Sequence, residues 1–249
     1  MNRKQFLRRT IGLGCASLLP GVILSAQAEK SAVPQYNLWE LCGKSRPELL
    51  GEDFRLRRRA AEAFADMRSE ARKAGISIYS QSSYRSFNHQ KKIWNRKYKS
   101  FLTSGDTPEI ALQKSVHDSA IPGTSRHHWG TDLDIIDAAV QPQPLERLTI
   151  KNFQMGGPYE HLAYWMAQNA ERFGFVMSYI EDAKRTGFKH EPWQFSFAEL
   201  SRPILRYFMT QDWKPILKDS SLLGYTLFTS HFLEEYAQEY LLGVNPKLK

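Results

Sequence analysis

The chain has 249 residues, 42% of them apolar and 24% charged, a balance that fits a globular protein and excludes a disordered tail or a membrane bundle. Only two cysteines occur, Cys15 and Cys42, which excludes a disulfide scaffold, a Cys-rich zinc ribbon and an iron–sulfur protein; any metal must be held by His, carboxylate or amide groups. Of the 34 basic residues behind the net charge of +8, Arg3, Lys4, Arg8 and Arg9 sit in the first 28 positions without an acid, leaving 30 against 26 acids, or +4, and no nucleic-acid partner is expected.

Residues 1–28 read as an export signal. A basic start precedes an apolar run from Ile11 to Leu24, and Ala26-Gln27-Ala28 fits a signal-peptidase site. The run is shorter than the ~20 residues of a membrane span and Pro20 interrupts it. Asn2 to Arg8 also resembles a twin-arginine signal with Lys4 in the second arginine's place. The mature chain is expected to begin at Glu29, with no stable membrane span and with Cys42 alone, so that no intramolecular disulfide can form.

Residues 29–75 form an N-terminal segment and an amphipathic helix. Phe54, Ala60, Phe64, Met67 and Ala71 recur at helical steps between Gly51 and Gly75. Ile76 to Ser80 reads as a strand and Asn88 to Phe101 as a helix; Thr107-Pro108 caps a short helix reaching Val116. His117 to Gly130 has no period and reads as a loop, of the kind that carries chemistry. Strands follow at Thr131–Ile136, Phe175–Ile180 and Trp193–Phe197, with a helix from Pro158 to Phe173 ended by Gly174. From Ala198 to the end, apolar faces describe a helical extension packed on the 76–197 core. The fold class is α+β, a small antiparallel sheet flanked by helices.

Ser125-Arg126-His127-His128-Trp129-Gly130-Thr131-Asp132-Leu133-Asp134 joins a loop histidine to a strand aspartate seven residues later. Imidazole and carboxylate are zinc ligands, although singly these two also read as a capping histidine and a strand-end acid. Three ordered motifs add to this pair: Ser82-Ser83-Tyr84-Arg85-Ser86 with Gln90, then Ser125-x-His127-x-x-Gly130-x-x-x-Asp134, then Glu191-Pro192-Trp193 before an aromatic strand. Together they resemble the VanY-like D-alanyl-D-alanine carboxypeptidases, grouped with the LD-carboxypeptidases among the M15 zinc peptidases.

The resemblance implies that His127 and Asp134 bind zinc, that Glu191 is the general base for the attacking water, and that Arg85, with Ser125 and Gln90, binds substrate. Its third zinc ligand, a histidine, is here Gln194, a neutral and weaker donor. Asp132, which stands where the commoner pattern has alanine, and His117 and His128 are alternative donors; Asp132 could instead orient His127 or an arginine. His190 is ~13 Å along an extended strand from position 194, too far without a bend. Trp129 and Trp193 are expected to wall the cleft, Trp165, Phe173, Phe175 and Phe197 to pack the core, and His89, His161 and His231 to lie at the surface.

The function implied is an exported, monomeric zinc carboxypeptidase acting on peptidoglycan stem peptides. An L,D-carboxypeptidase or a D,D-endopeptidase is a close variant. A relative that binds cell-wall peptide without cutting it is the reading from another class, motivated by Gln194.

Overall fold

The computed structural model describes residues 36–249, so the expected export signal lies outside the described residues. A short helix α1 (Leu38–Leu41), capped by the Asn37 side chain, leads to α2 (Arg58–Lys73), which buries Ala60, Ala61, Phe64, Met67 and Ala71. The helix begins later than Gly51 because Leu50 and Leu56 pair their backbones in an isolated antiparallel bridge, using groups a helix would need. Phe54 lies in that loop and still packs edge-on against Phe64, 5.0 Å between ring centres.

Strand β1 (Ile78–Ser82) is followed by α3 (Phe87–Thr103), with Ser86 accepting from the His89 N–H, and by α4 (Pro108–Asp118), capped by Thr107 as its sequence indicates. A 3-10 turn over Arg126–Trp129 enters β2 (Asp132–Asp137). Next come α5 (Ile150–Phe153) and α6 (Glu160–Asn169), then a 3-10 turn ended by Gly174 in the left-handed region. β3 (Phe175–Met177) stops short of the expected Ile180, since its partner strand begins only at Gln194: the Ser178 N–H still donates to Gln194 O, and the chain before Gln194 is in a turn whose Glu191 O accepts the Gln194 N–H. β4 (Gln194–Phe197), α7 (Ala198–Thr210) and α8 (Ser230–Tyr236) follow, and α8 runs on into a π-helical turn over Ala237–Leu241 and a last 3-10 turn over Pro246–Leu248. Among the described residues no helix is long and apolar enough to cross a membrane.

The four strands form one antiparallel sheet in the order β1-β2-β4-β3, the expected α+β arrangement. Every residue of β2 is buried, so both faces of this strand are covered. Its two-residue period puts Leu133 and Ile135 on the side that packs with Phe64, Met67, Leu162 and Met166, and Asp132 and Asp134 on the other. A second apolar cluster joins Trp94 and Tyr98 of α3, Leu112 of α4, Phe208 of α7 and Leu233 and Tyr236 of α8.

Phe64 is fully buried and touches both Phe54 and Phe175, so Phe64→Ala should cost about 3–5 kcal/mol of unfolding free energy. A urea midpoint shift corresponding to less than 1 kcal/mol would show that the α2 face does not anchor the sheet.

Candidate metal centre

His127 is placed by a turn fastened at several points. Gly130 closes it at φ +69°, where an added Cβ would sit 2.7 Å from Leu49 Cδ2. The Arg57 N–H donates to Gly130 O, the Arg57 side chain donates to Trp129 O at 2.7 Å, and the Arg85 N–H donates to His127 O. The imidazole Nδ1 lies 2.7 Å from Ser83 O; a carbonyl only accepts, so Nδ1 carries the hydrogen and Nε2 presents a lone pair.

That Nε2 faces Asp134 Oδ1 at 3.4 Å, and both atoms are buried with no hydrogen-bond partner. Two acceptors left facing each other in this way are costly unless a cation or a proton sits against them. Two ligands each ~2.0–2.2 Å from a tetrahedral zinc ion stand about 3.4 Å apart, so the pair fits such an ion. The other oxygen of Asp134 accepts from Arg85 Nη2 at 3.2 Å. Arg85 Nη1 donates to Gln90 Oε1 at 2.9 Å, and the buried Gln90 amide is anchored on Ser119 Oγ and Ala120 O, both at 3.0 Å.

Gln194 is the direct cross-strand partner of Asp134, so the two side chains share a face. With Arg85, Gln90, Ser125, His127 and Glu191 they line one cavity of about 210 Å³. All the expected site residues thus meet in one place. A wider groove of about 980 Å³ between Met209–Lys214 and Glu234–Glu239 contains no histidine.

Glu191 is half-buried at the cavity wall, its N–H donating to Tyr179 O. Desolvation first, and the Asp134 carboxylate second, push its pKa up to about 8, opposed by Arg85, Lys97 and Arg185.

Each alternative third donor is otherwise engaged. Asp132 is fully buried in an ion pair with Arg126, Nε to Oδ1 3.0 Å, and also accepts from Thr131, Ser196, Ser178 and Gln194. Burial opposes its ionisation, but Arg126, His127 and the hydroxyls of Thr131 and Ser196 hold its pKa below the usual carboxylate value. It thus orients an arginine, the second of its two anticipated roles. His128 is buried, 2.5 Å from Arg85 O at Nδ1 and accepting the Gly123 N–H at Nε2; desolvation pushes its pKa down to about 3. His117 is exposed at the end of α4 beside Asp118, and His190 points to Tyr179 O. Among the described residues no three His, Cys, Asp or Glu side chains cluster as a metal site, which leaves Gln194 as the third donor to consider.

Trp193 lines the cavity, but Trp129 does not: it is buried beneath the Arg126 guanidinium, 4.7 Å from the ring centre, and packs on Phe208. Its place in the fastened turn aims it into the core. Sequence reasoning missed Lys97 and Ile93, which share the cavity wall with Gln90. Their spacing along α3, three residues from Gln90 for Ile93 and seven for Lys97, is the signal that would have found them. It also missed Phe188, held edge-on between Tyr179 and Tyr240 at 5.2 and 5.0 Å. The loop carrying Phe188 is tied to the C-terminal segment by Thr186 Oγ1 donating to Glu239 O and by Arg185 donating to Gly243 O.

A family model described as VanY, D-alanyl-D-alanine carboxypeptidase, matches residues 53–200. The chain is 26% identical over 151 residues to a D-alanyl-D-alanine carboxypeptidase of Enterococcus faecalis, covering 60% of this chain and 51% of that one. It is 28% identical over 123 residues to an uncharacterized protein of Haemophilus influenzae, covering 49% and 93%. The chain therefore spans about half the length of the enterococcal relative. Among solved structures, VanYB in complex with D-Alanine-D-Alanine has the same fold, with a TM-score of 0.51 at 23% identity over 75% of this chain and 92% of that one. With more than half its length matched, the chain belongs to the VanY family of D-alanyl-D-alanine carboxypeptidases.

Proposed function

We propose that this protein is an exported, monomeric, zinc-dependent carboxypeptidase that removes the terminal D-alanine from peptidoglycan stem peptides. The observation that carries the metal-dependent reading is the buried, unpartnered pair of His127 Nε2 and Asp134 Oδ1, 3.4 Å apart. His127, Asp134 and Gln194 would hold the ion. When bound, zinc supplies a water of lowered pKa and polarises a substrate carbonyl.

The remaining work falls to side chains on the cavity wall. Glu191 takes the proton of the attacking water and returns it to the departing amine, the work of a carboxylate standing on the wall of the same cavity as His127 and Asp134. Arg85 supplies positive charge for the substrate's C-terminal carboxylate: Gln90 and Asp134 each take one hydrogen of its terminal nitrogens, which leaves a second hydrogen on each. Ser125 adds a hydroxyl to the same wall, and Gln90 fixes the guanidinium.

Because Arg85 also holds Asp134, Arg85→Ala should raise KM at least tenfold and weaken metal binding too, since losing a partner of a ligand typically costs 10–100-fold in metal affinity. Unchanged KM for peptide with a free C-terminal carboxylate would refute the role of Arg85 in substrate binding.

A second reading, a binder of cell-wall peptide that does not cut, is favoured by Gln194 alone. Release of D-alanine from a pentapeptide ending in D-Ala-D-Ala, dependent on added zinc and abolished by a chelator, supports the enzyme. No turnover on pentapeptide, tetrapeptide or cross-linked muropeptide in zinc excess, with Gln194→His equally silent, would establish the binder. Export is tested separately by the N-terminus of envelope protein, expected at Glu29.

A further inference from the structure

An amide side chain has two nearly isosteric ends, an oxygen that can hold a cation and an NH2 that cannot. Which end of Gln194 faces the cavity decides whether this residue can be a ligand at all. Asp132 provides the answer: its Oδ1 accepts from Arg126 Nε at 3.0 Å and its Oδ2 from two hydroxyls, so this carboxylate presents acceptors on both sides and the end of the amide 3.3 Å from its Oδ1 is Nε2. The carbonyl oxygen is left for the cavity that Gln194 lines with His127 and Asp134.

Asp132 is itself held from several sides. Arg126 Nε donates to Oδ1 at 3.0 Å, Thr131 Oγ1 and Ser196 Oγ donate to Oδ2 at 2.7 and 2.9 Å, and Arg126 Nη2 bonds Ser196 Oγ at 2.7 Å. Position 196 is opposite 132 in the same strand pair that sets 194 opposite 134. The orientation of the amide is therefore built into the β2–β4 ladder and its buried ion pair.

We propose that Asp132 is a positioning residue that presents Gln194 to a divalent ion oxygen first, and that the resulting set of one imidazole, one carboxylate and one amide oxygen favours zinc over manganese(II) less strongly than a two-histidine set would. The physical reason is that an amide oxygen is a harder, neutral donor, and two oxygens among three protein ligands move the site toward the cations that oxygen ligands suit. This inference rests on the reading that His127 and Asp134 hold a divalent ion.

The test uses purified mature chain and competition with a chromophoric chelator for zinc and for manganese(II). Gln194→His should tighten zinc more than manganese, widening the preference by about tenfold or more. The double variant Arg126→Met with Asp132→Ala removes both buried charges together, so that neither is stranded. It should lower zinc affinity by about 10–100-fold, the usual effect of losing a partner that orients a ligand. Asp132→Asn keeps an oxygen for Gln194 Nε2 and should restore zinc affinity to within about threefold of wild type, far inside the loss expected from the double variant. X-ray absorption of the zinc-loaded proteins should count one imidazole in wild type and two in Gln194→His.

Two imidazoles in wild type, an unchanged metal preference in Gln194→His, or undiminished zinc affinity in the double variant overturns the proposal. Should the double variant not fold, Gln194→Leu, which leaves the Asp132–Arg126 pair intact, must lose zinc affinity by the same factor, and the imidazole count decides the ligand set. Tight zinc binding by His127→Ala would instead refute the underlying metal reading. Loss of zinc in His127→Ala with full affinity in Gln194→Leu refutes this inference alone.

Discussion

Replacing Glu191 with glutamine is expected to lower turnover of a D-Ala-D-Ala peptide by ~10²–10⁴ while leaving the metal in place, the range a positioned general base contributes. The substitution keeps the shape of the side chain and removes only its ability to take a proton. Glu191 contributes no atom to the His127–Asp134 pair, so metal content measured by atomic emission should match wild type. KM should change little, because Arg85 keeps its hydrogen bonds to Gln90 and Asp134. The assay is run at saturating zinc, so that the rate reports the proton transfer and not metal occupancy. Turnover within tenfold of wild type would mean that another group, or solvent, takes the proton, and the assignment of Glu191 would fall.

The parts of the fold legible in the sequence are those governed by local rules. Thr107-Pro108 starts α4, Gly174 ends the helical stretch before β3, and the spacing of Phe64, Met67 and Ala71 marks the buried face of α2. The strands could be located but not paired, since pairing depends on contacts distant in sequence. That limit explains the open question of the third donor. Asp132, His117 and His128 are nearer to His127 along the chain than Gln194 is, yet only the cross-strand register places Gln194 beside Asp134. The same limit hid the use of Asp132, whose partners Arg126, Ser178 and Ser196 come from three separate segments. Trp129 shows the opposite failure. Its neighbours in sequence belong to the site, but the turn that aims His127 into the cavity sends Trp129 into the core.

Asp134→Asn is expected to abolish tight zinc binding and yet leave the metal-free protein at least as stable as wild type, two effects of opposite sign from one change. In the metal-free protein Asp134 Oδ1 and His127 Nε2 are acceptors facing each other at 3.4 Å without partners. The other oxygen is bonded to Arg85 Nη2 at 3.2 Å, and an arginine can only donate, so an asparagine here must keep its oxygen on that side. Its NH2 then replaces Oδ1 and donates to His127 Nε2, satisfying both buried atoms at a gain of about 1 kcal/mol, against which the loss of the Arg85 charge pairing must be set. The metal, in contrast, meets an NH2 where it needs an oxygen, and affinity should fall by more than the 10–100-fold typical of changes to residues outside the ligand set. His127→Ala should lose the metal equally but without the compensating hydrogen bond. The readout is the thermal midpoint with and without zinc. Wild type should rise on adding zinc in excess of its dissociation constant, by about 2.7 kcal/mol of added stability at a hundredfold excess, whereas neither variant should respond. A zinc-induced rise that persists in Asp134→Asn would show that Asp134 is not a ligand, and a metal-free midpoint well below wild type would show that the two acceptors were not in conflict.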